Sequence, residues 1–321
     1  MQLIPYNLRY LETALLICLI AGYGWATYDR NLIWETDYTL WSDVVKKSPR
    51  NYRAHVHLGN AYHFKGQDDL AMHHYKEALK LEPRATKAHN NLGNIYKGKG
   101  LIDEAIAEYK EALRLDPFSE RALYNLGTIY EEKGLLDIAI LYYQKSLWTK
   151  PNFLLARYVL ARAYDQKGLI DKAIDEYKMI LNLAPDQAKA HYNLGLVYDK
   201  KGWFKEAIYH YEEAIRISPD YPEALSNLGS IYGEMGKIPE AIGLFKKSLN
   251  IKPDDPVTLF NLAYAYEQKG LVNQAINTYQ KVLEWDQHHL HAKERIVLLK
   301  GMSKGGTERP VPSIIERNWP H

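Results

Sequence analysis

No disulfide can form within this chain, because its 321 residues include a single cysteine, Cys18. Cysteine usage therefore says nothing about redox compartment. The chain also lacks an excess of either charge. Lys plus Arg number 41 and Asp plus Glu 39, a net charge of +2, which leaves no basic footprint of the kind that marks nucleic-acid binding. Phenylalanine is scarce, with 6 residues against 26 tyrosines. A tyrosine buries a ring and keeps a polar tip, which suits helix surfaces that are half core and half groove. Long uncharged apolar runs are absent with one exception, residues 13–28, "TALLICLIAGYGWATY".

Proline and glycine mark fixed places. Pro recurs at 49, 83, 117, 151, 185, 219 and 253, and Gly at 66, 100, 134, 168, 202, 236 and 270, always 34 residues apart. A constant period of this length marks stacked structural repeats and decides the architecture. With Tyr52 as position 1, seven units span 52–85, 86–119, 120–153, 154–187, 188–221, 222–255 and 256–289. Position 7 is always Leu, position 11 Tyr, position 15 Gly and position 20 Ala; position 8 is Gly or Ala and position 24 Tyr or Phe. The spacing predicts two helices per unit. The first presents positions 4, 7, 8 and 11 as one stripe and ends at the Gly of position 15. The second ends before the Pro of position 32, which cannot continue it.

This pattern resembles the tetratricopeptide repeat over residues 52–289. The resemblance implies an all-α, right-handed solenoid of seven helix-turn-helix repeats, stabilised by stacking of neighbours and by end caps. Residues 32–51 read as a degenerate half repeat, because Pro49 keeps the step and Trp41 falls at position 24. Residues 290–300, "LHAKERIVLLK", read as a capping helix, and 301–321 as a flexible tail.

An asparagine recurs at position 6, beside the packing stripe: Asn91, Asn125, Asn193, Asn227 and Asn261, with His57 and Val159 breaking the row. An amide has both a donor and an acceptor and can pair with an extended peptide backbone whatever its side chains. The row is similar to the asparagines that line the tetratricopeptide array of the O-linked N-acetylglucosamine transferase, where they hold peptide backbone. The same positions also fit a bond to a neighbouring helix. The expected groove further includes Asn60 and Asn94 at position 9, and Tyr124, Tyr158, Tyr192 and Phe260 at position 5. Position 2 adds Arg53, Lys87, Arg121 and Lys189. Such a face would hold a segment with apolar side chains over the rings and acidic ones near the cations. The clamp that tetratricopeptide domains use for chaperone C-termini is not matched, since Val56 stands where it needs Lys and Asn125 where it needs Arg.

The run within residues 11–28 is expected to be a single membrane helix, with Tyr10, Trp25 and Tyr28 as interfacial rings. Its sixteen uncharged residues, 13–28, rise only about 24 Å as a helix, short of a ~30 Å hydrocarbon core. A cleaved signal peptide and a buried helix are the alternatives. The passage "TYDRNLIWETDYTLWSDVVKKSP" resembles the junction between the last membrane helix and the repeats in membrane-embedded glycosyltransferases of the O-mannosyltransferase type. The residues concerned are Arg30, Asn31, Trp34, Leu40, Trp41, Ser48 and Pro49. This resemblance implies repeats outside the cytoplasm, in periplasm or lumen, and a chain related to the non-catalytic half of such enzymes, whereas the positive flank of Arg30, Lys46, Lys47, Arg50 and Arg53 after the run favours the cytoplasmic side.

No constellation reaches chemistry. "KGKG" at 97–100 is the inter-helix turn, since no strand precedes it and no Gly-Lys-Ser/Thr follows. His73–His74 and His288–His289–His291 lack the further ligands a metal needs. His55, His89 and His191 occupy position 4 of the packing stripe. No catalytic residue, cofactor, metal or small-molecule substrate is expected. The expected function is a non-enzymatic scaffold that holds a peptide segment of a partner at a membrane. An acceptor-presenting glycosyltransferase subunit and a purely structural array are the alternatives.

Overall fold

The computed structural model describes residues 36–302. Among these there are sixteen α-helices and no strand, so the chain is an all-helical α-solenoid. It divides into two compact units, one up to Pro151 and one from Asn152. The first unit holds α1 (Asp37–Lys47), α2 (Tyr52–Phe64), α3 (Asp68–Leu81), α4 (Thr86–Gly98), α5 (Ile102–Leu115), α6 (Glu120–Glu132) and α7 (Leu136–Thr149). The second holds α8 (Leu154–Gln166), α9 (Ile170–Leu183), α10 (Ala188–Lys200), α11 (Phe204–Ile217) and α12 (Pro222–Glu234). It continues with α13 (Ile238–Ile251), α14 (Pro256–Gln268), α15 (Val272–Trp285) and α16 (Leu290–Met302).

Local chemistry sets the ends of these helices. Asn51 caps α2 by accepting from the backbone N–H groups of Arg53 and Ala54. Thr36 and Thr39 close a reciprocal capping box at the start of α1. All seven first helices finish alike. The glycine at position 15 takes φ between 71° and 76°, a left-handed conformation that costs glycine little. The N–H at position 16 then returns to the carbonyl at position 11, as in Leu101 to Tyr96 at 2.9 Å and Trp203 to Tyr198 at 2.9 Å.

Packing within a repeat turns on positions 8 and 24. Tyr75, Tyr109, Tyr143, Tyr177, Tyr211, Phe245 and Tyr279 are all buried. In five repeats the ring lies against a glycine of the first helix. A Cβ built on Gly93 would sit 2.6 Å from the Tyr109 ring, and one on Gly195 2.8 Å from Tyr211. Ala161 and Ala263 hold this place in the other two repeats and are buried.

A second tie within repeats joins position 4 to position 23, and its chemistry varies. His55 Nδ1 meets His74 Nδ1 at 3.1 Å, and His191 Nδ1 meets His210 Nδ1 at 2.9 Å. His89 Nδ1 meets Glu108 Oε2 at 2.6 Å, and Arg157 pairs with Glu176. Each of these histidines at position 4 also bonds through Nε2 to the carbonyl of the preceding proline, Pro49, Pro83 or Pro185. Burial, and then the charge on the neighbouring histidine, push His74 and His210 down to about 4. The hydrogen bond to Glu108 raises His89.

The membrane placement expected from the sequence is corrected. Among the described residues no helix is long and apolar enough to cross a membrane. The segment 11–28 that carried that reading lies outside the described residues, as does 303–321 of the tail. The extracytoplasmic placement that the junction resemblance implied needs such a span and is corrected with it. What the structure describes of the N-terminal junction is α1, which packs on α2. Trp41 stacks on His57 with ring centroids 4.2 Å apart, and Tyr38 meets Tyr62 edge-on at 5.3 Å.

Candidate functional site: the open face of the first unit

In the first unit, α2, α4 and α6 bring their positions 2, 5, 6 and 9 to one face. The position-6 amides are turned toward the preceding repeat. Asn91 Nδ2 donates to Asn60 Oδ1 at 2.7 Å, and Asn125 Nδ2 donates to Asn94 Oδ1 at 2.8 Å and to Asn90 Oδ1 at 3.0 Å. The acceptors are fixed a second time from inside the repeat. Tyr75 Oη donates to Asn60 Oδ1 at 2.8 Å, and Tyr109 Oη donates to Asn94 Oδ1 at 2.7 Å. A buried tyrosine and the next repeat's asparagine thus hold each position-9 amide by its oxygen. Its two N–H groups are left as the donors it can offer.

These amides line cavities. One of about 470 Å³ is bordered by His57, Asn60, Lys87, Asn90, Asn91 and Arg121. Another, of about 550 Å³, is bordered by Asn94, Lys97, Tyr124, Asn125 and Thr128. A third, of about 370 Å³, has Arg53, Arg84 and Lys87 on its walls and no carboxylate. A fourth, of about 500 Å³, lies between α1 and the end of α2, with Tyr38, Trp41, Asn60 and Phe64 among its walls. His57 borders the first, third and fourth of these.

The charges here are unevenly spent. The neighbouring acids have work: Glu120 lies 3.5 Å from Lys150, Glu132 2.9 Å from Lys97, and Asp116 accepts from the Phe118 N–H. Among the described residues no carboxylate pairs with Arg53, Arg84, Lys87 or Arg121. The Arg53 Nε donates to Tyr52 Oη at 3.1 Å. The face therefore combines fixed amide donors with unneutralised cations.

The second unit places the remaining sequence-predicted residues differently. Asn227 and Asn261 are buried, at 0% and 2% exposure. Asn227 Nδ2 donates to Tyr192 Oη at 3.4 Å, Asn261 Nδ2 to Ser230 Oγ at 3.0 Å, and Asn193 Nδ2 to Tyr158 Oη. Tyr192 is buried against Tyr211 and Tyr221, and Phe260 lies stacked on His289 at 4.9 Å. Tyr158 and, in the first unit, Tyr124 are half-buried, and Lys189 Nζ sits 5.1 Å above the Tyr158 ring. Position 9 carries Arg162, Leu196, Ser230 and Tyr264 in place of the asparagines. Among the described residues no group of three His, Cys, Asp or Glu could hold a metal ion.

Sequence reasoning did not single out Arg84, Trp41 or Phe64 as site residues. Arg84 falls in the inter-repeat turn, outside the helix stripes. Phe64 stands at position 13, where the other units carry Gly98, Glu132, Gln166, Lys200, Glu234 and Gln268. That lone ring among polar or small residues was the available signal.

A family model described as "TPR repeat" matches residues 59–100, 94–134, 161–202, 197–236 and 229–270. A second, described as "Tetratricopeptide repeat", matches 120–153 and 257–289. No curated protein matches the chain. Among solved structures, a chain of the APC/C hetero-tetramer Cut9–Hcn1 is similar at 18% identity and a TM-score of 0.58, over 82% of this chain and 52% of that one. A tetratricopeptide repeat protein from Parabacteroides merdae is similar at 20% identity and a TM-score of 0.54, over 78% and 98%. MamA is similar at 34% identity and a TM-score of 0.48, over 50% and 95%. With repeat models covering most of the chain, and with the helix pairs, glycine turns and ring-over-glycine packing described above, the protein belongs to the tetratricopeptide repeat family.

Proposed function

We propose that this chain is a protein-interaction scaffold, and that the open face of α2, α4 and α6 holds an extended segment of a partner protein. The observation that carries this reading is the relay from Tyr75 and Tyr109 through the oxygens of Asn60 and Asn94. Donors held in place before binding lose little freedom when a partner arrives. Their N–H groups suit the carbonyls of an extended backbone. The cations Arg53, Lys87 and Arg121 favour acidic side chains beside it. Each amide contact contributes about 0.5–1.5 kcal/mol net, so a few contacts less the ordering cost give affinities on the order of micromolar.

A place beside a membrane glycosyltransferase rests only on the junction resemblance. The described part of that junction, α1, is accounted for by its packing on α2.

The test compares the full chain with its Asn60→Asp/Asn94→Asp variant. The substitution keeps an oxygen for the tyrosine and the next asparagine and removes the outward N–H groups. Circular dichroism would check that both are folded. Partners captured by the native protein and lost by the variant support the reading. Equal capture by both sinks it.

A further inference from the structure

The two cavities at the ends of α2 differ in chemistry and share His57 as a wall. At the start of the helix, Arg53, Arg84 and Lys87 surround a space with no carboxylate on its walls. At its end, Tyr38, Trp41 and Phe64 surround a space of about 500 Å³. Phe64 is 94% exposed. A single exposed ring needs no explanation, but three rings around one cavity form a socket. Its rings are held by two other residues of its walls, His57 and Lys65. Trp41 is stacked on His57, and the Lys65 ammonium sits 3.7 Å above the Tyr38 ring.

We infer that the partner segment of the proposed scaffold is bipartite, with carboxylate side chains in the notch of Arg53, Arg84 and Lys87 and one bulky apolar side chain in the socket of Tyr38, Trp41 and Phe64. This rests on the groove reading above and names what the groove selects. Charge complementarity identifies the first element, because the notch has three cations and no counter-charge. Continuity with the amide-lined face identifies the second, because His57 and Asn60 border both that face and the socket. Spacing follows from the helix. Arg53 and Phe64 lie eleven residues apart on α2, about 16 Å at 1.5 Å per residue. An extended chain covers that distance in about five residues.

The experiment uses the full chain and a set of synthetic peptides in a Gly/Ser background. Each carries Glu-Glu and one Trp, three to nine residues apart, in both orders; controls lack the Glu pair or the Trp. Fluorescence anisotropy gives Kd. The expected result is a minimum in Kd near a spacing of five. Phe64→Ala is expected to raise Kd about tenfold for Trp peptides, bringing them level with the Trp-less control. Arg84→Glu/Lys87→Glu is expected to weaken the Glu peptides at least tenfold and to leave the Trp preference in place. Both sites are exposed, so neither variant threatens the fold. A flat dependence on spacing, or unchanged Trp-peptide binding by Phe64→Ala, overturns the inference. If that happens while Asn60→Asp/Asn94→Asp still loses captured partners, the groove stands and only its bipartite selectivity is wrong. If that variant loses nothing either, the groove reading has failed first.

Discussion

The two units are built from the same 34-residue pattern, yet the face of α2 and α4 in the first and that of α12 and α14 in the second differ in burial. In the first, positions 5, 6 and 9 carry Val56, His57, Asn60, Asn90, Asn91 and Asn94, and cavities open between them. In the second, Tyr192, Leu196, Asn227, Ser230, Phe260 and Asn261 at the same positions are buried, and only Tyr158, Val159, Arg162 and Asn193 toward its start are not. One amide type therefore has two jobs. Asn91 and Asn125 orient another amide at an open surface. Asn227 and Asn261 are buried hydrogen-bonding groups that donate to Tyr192 and Ser230.

The largest expected break in this contrast comes from removing one asparagine in each unit. Asn227→Ala takes away a fully buried amide and is expected to cost about 1–3 kcal/mol, read as a lower denaturant midpoint. Asn91→Ala, at a half-buried position whose acceptor Asn60 can turn to water, should cost about 0.5–1 kcal/mol. Equal costs would erase the distinction between the units.

Acid sharpens the comparison at the position-4 to position-23 ties. His210 is faced by His191 and Lys178, with Glu213 opposing them, and Tyr198 stacks on its ring. His74 is faced by His55 and His73, with Glu77 opposing and Tyr62 stacked on it. Both titrate near 4 when folded and near 6.5 when unfolded, so the unfolded chain takes up more protons between those values. Stability is therefore lost as pH falls from about 6.5 toward 4, by on the order of 1–2 kcal/mol per pair after solvent screening. His89, raised by Glu108, has the opposite sign: its contribution is full below about 6.5 and fades as pH rises through its raised value. Replacing His210 with Leu should flatten the acid response of the second unit and leave that of the first. Urea unfolding at about pH 7 and about pH 5 reads both.

A smaller effect concerns salt. Binding of an acidic segment to the first unit should weaken several-fold between about 50 and about 200 mM salt, because the notch cations are solvent-exposed and screened. Salt-independent binding would assign the affinity to the amides and rings alone. The smallest change is expected from Phe64→Ala, whose effect on stability should stay within about 0.5 kcal/mol. A larger loss would mean that the ring packs within the chain and is no part of an open socket.

The repeat scaffold was legible in the sequence because each structural demand falls on one position. Leu at 7, Tyr at 11, Gly at 15 and Ala at 20 repeat without exception. The partners of the asparagines were not legible. They lie 31 or 35 residues away, and only helix stacking decides whether one or both are in reach. The difference in burial between Asn91 and Asn227 was equally hidden, since it depends on what fills the neighbouring positions. The membrane reading failed for a different reason. It drew on the composition of residues 11–28 and on a resemblance of the junction that follows, neither of which carries a packing period to check it.

The ties between positions 4 and 23 have a consequence for how so repetitive a chain avoids pairing with itself wrongly. Nearly identical repeats risk exchanging helices between neighbours during folding. Here no two adjacent repeats use the same tie: His with His, His with Glu, Leu with Tyr, Arg with Glu, His with His, Leu with Leu, Leu with Thr. A slip that set Leu123 against Glu108 would strand a carboxylate beside an aliphatic side chain and leave His89 without its acceptor. The four polar pairs, His55–His74, His89–Glu108, Arg157–Glu176 and His191–His210, thus disfavour a slip by one repeat where their neighbours differ in chemistry.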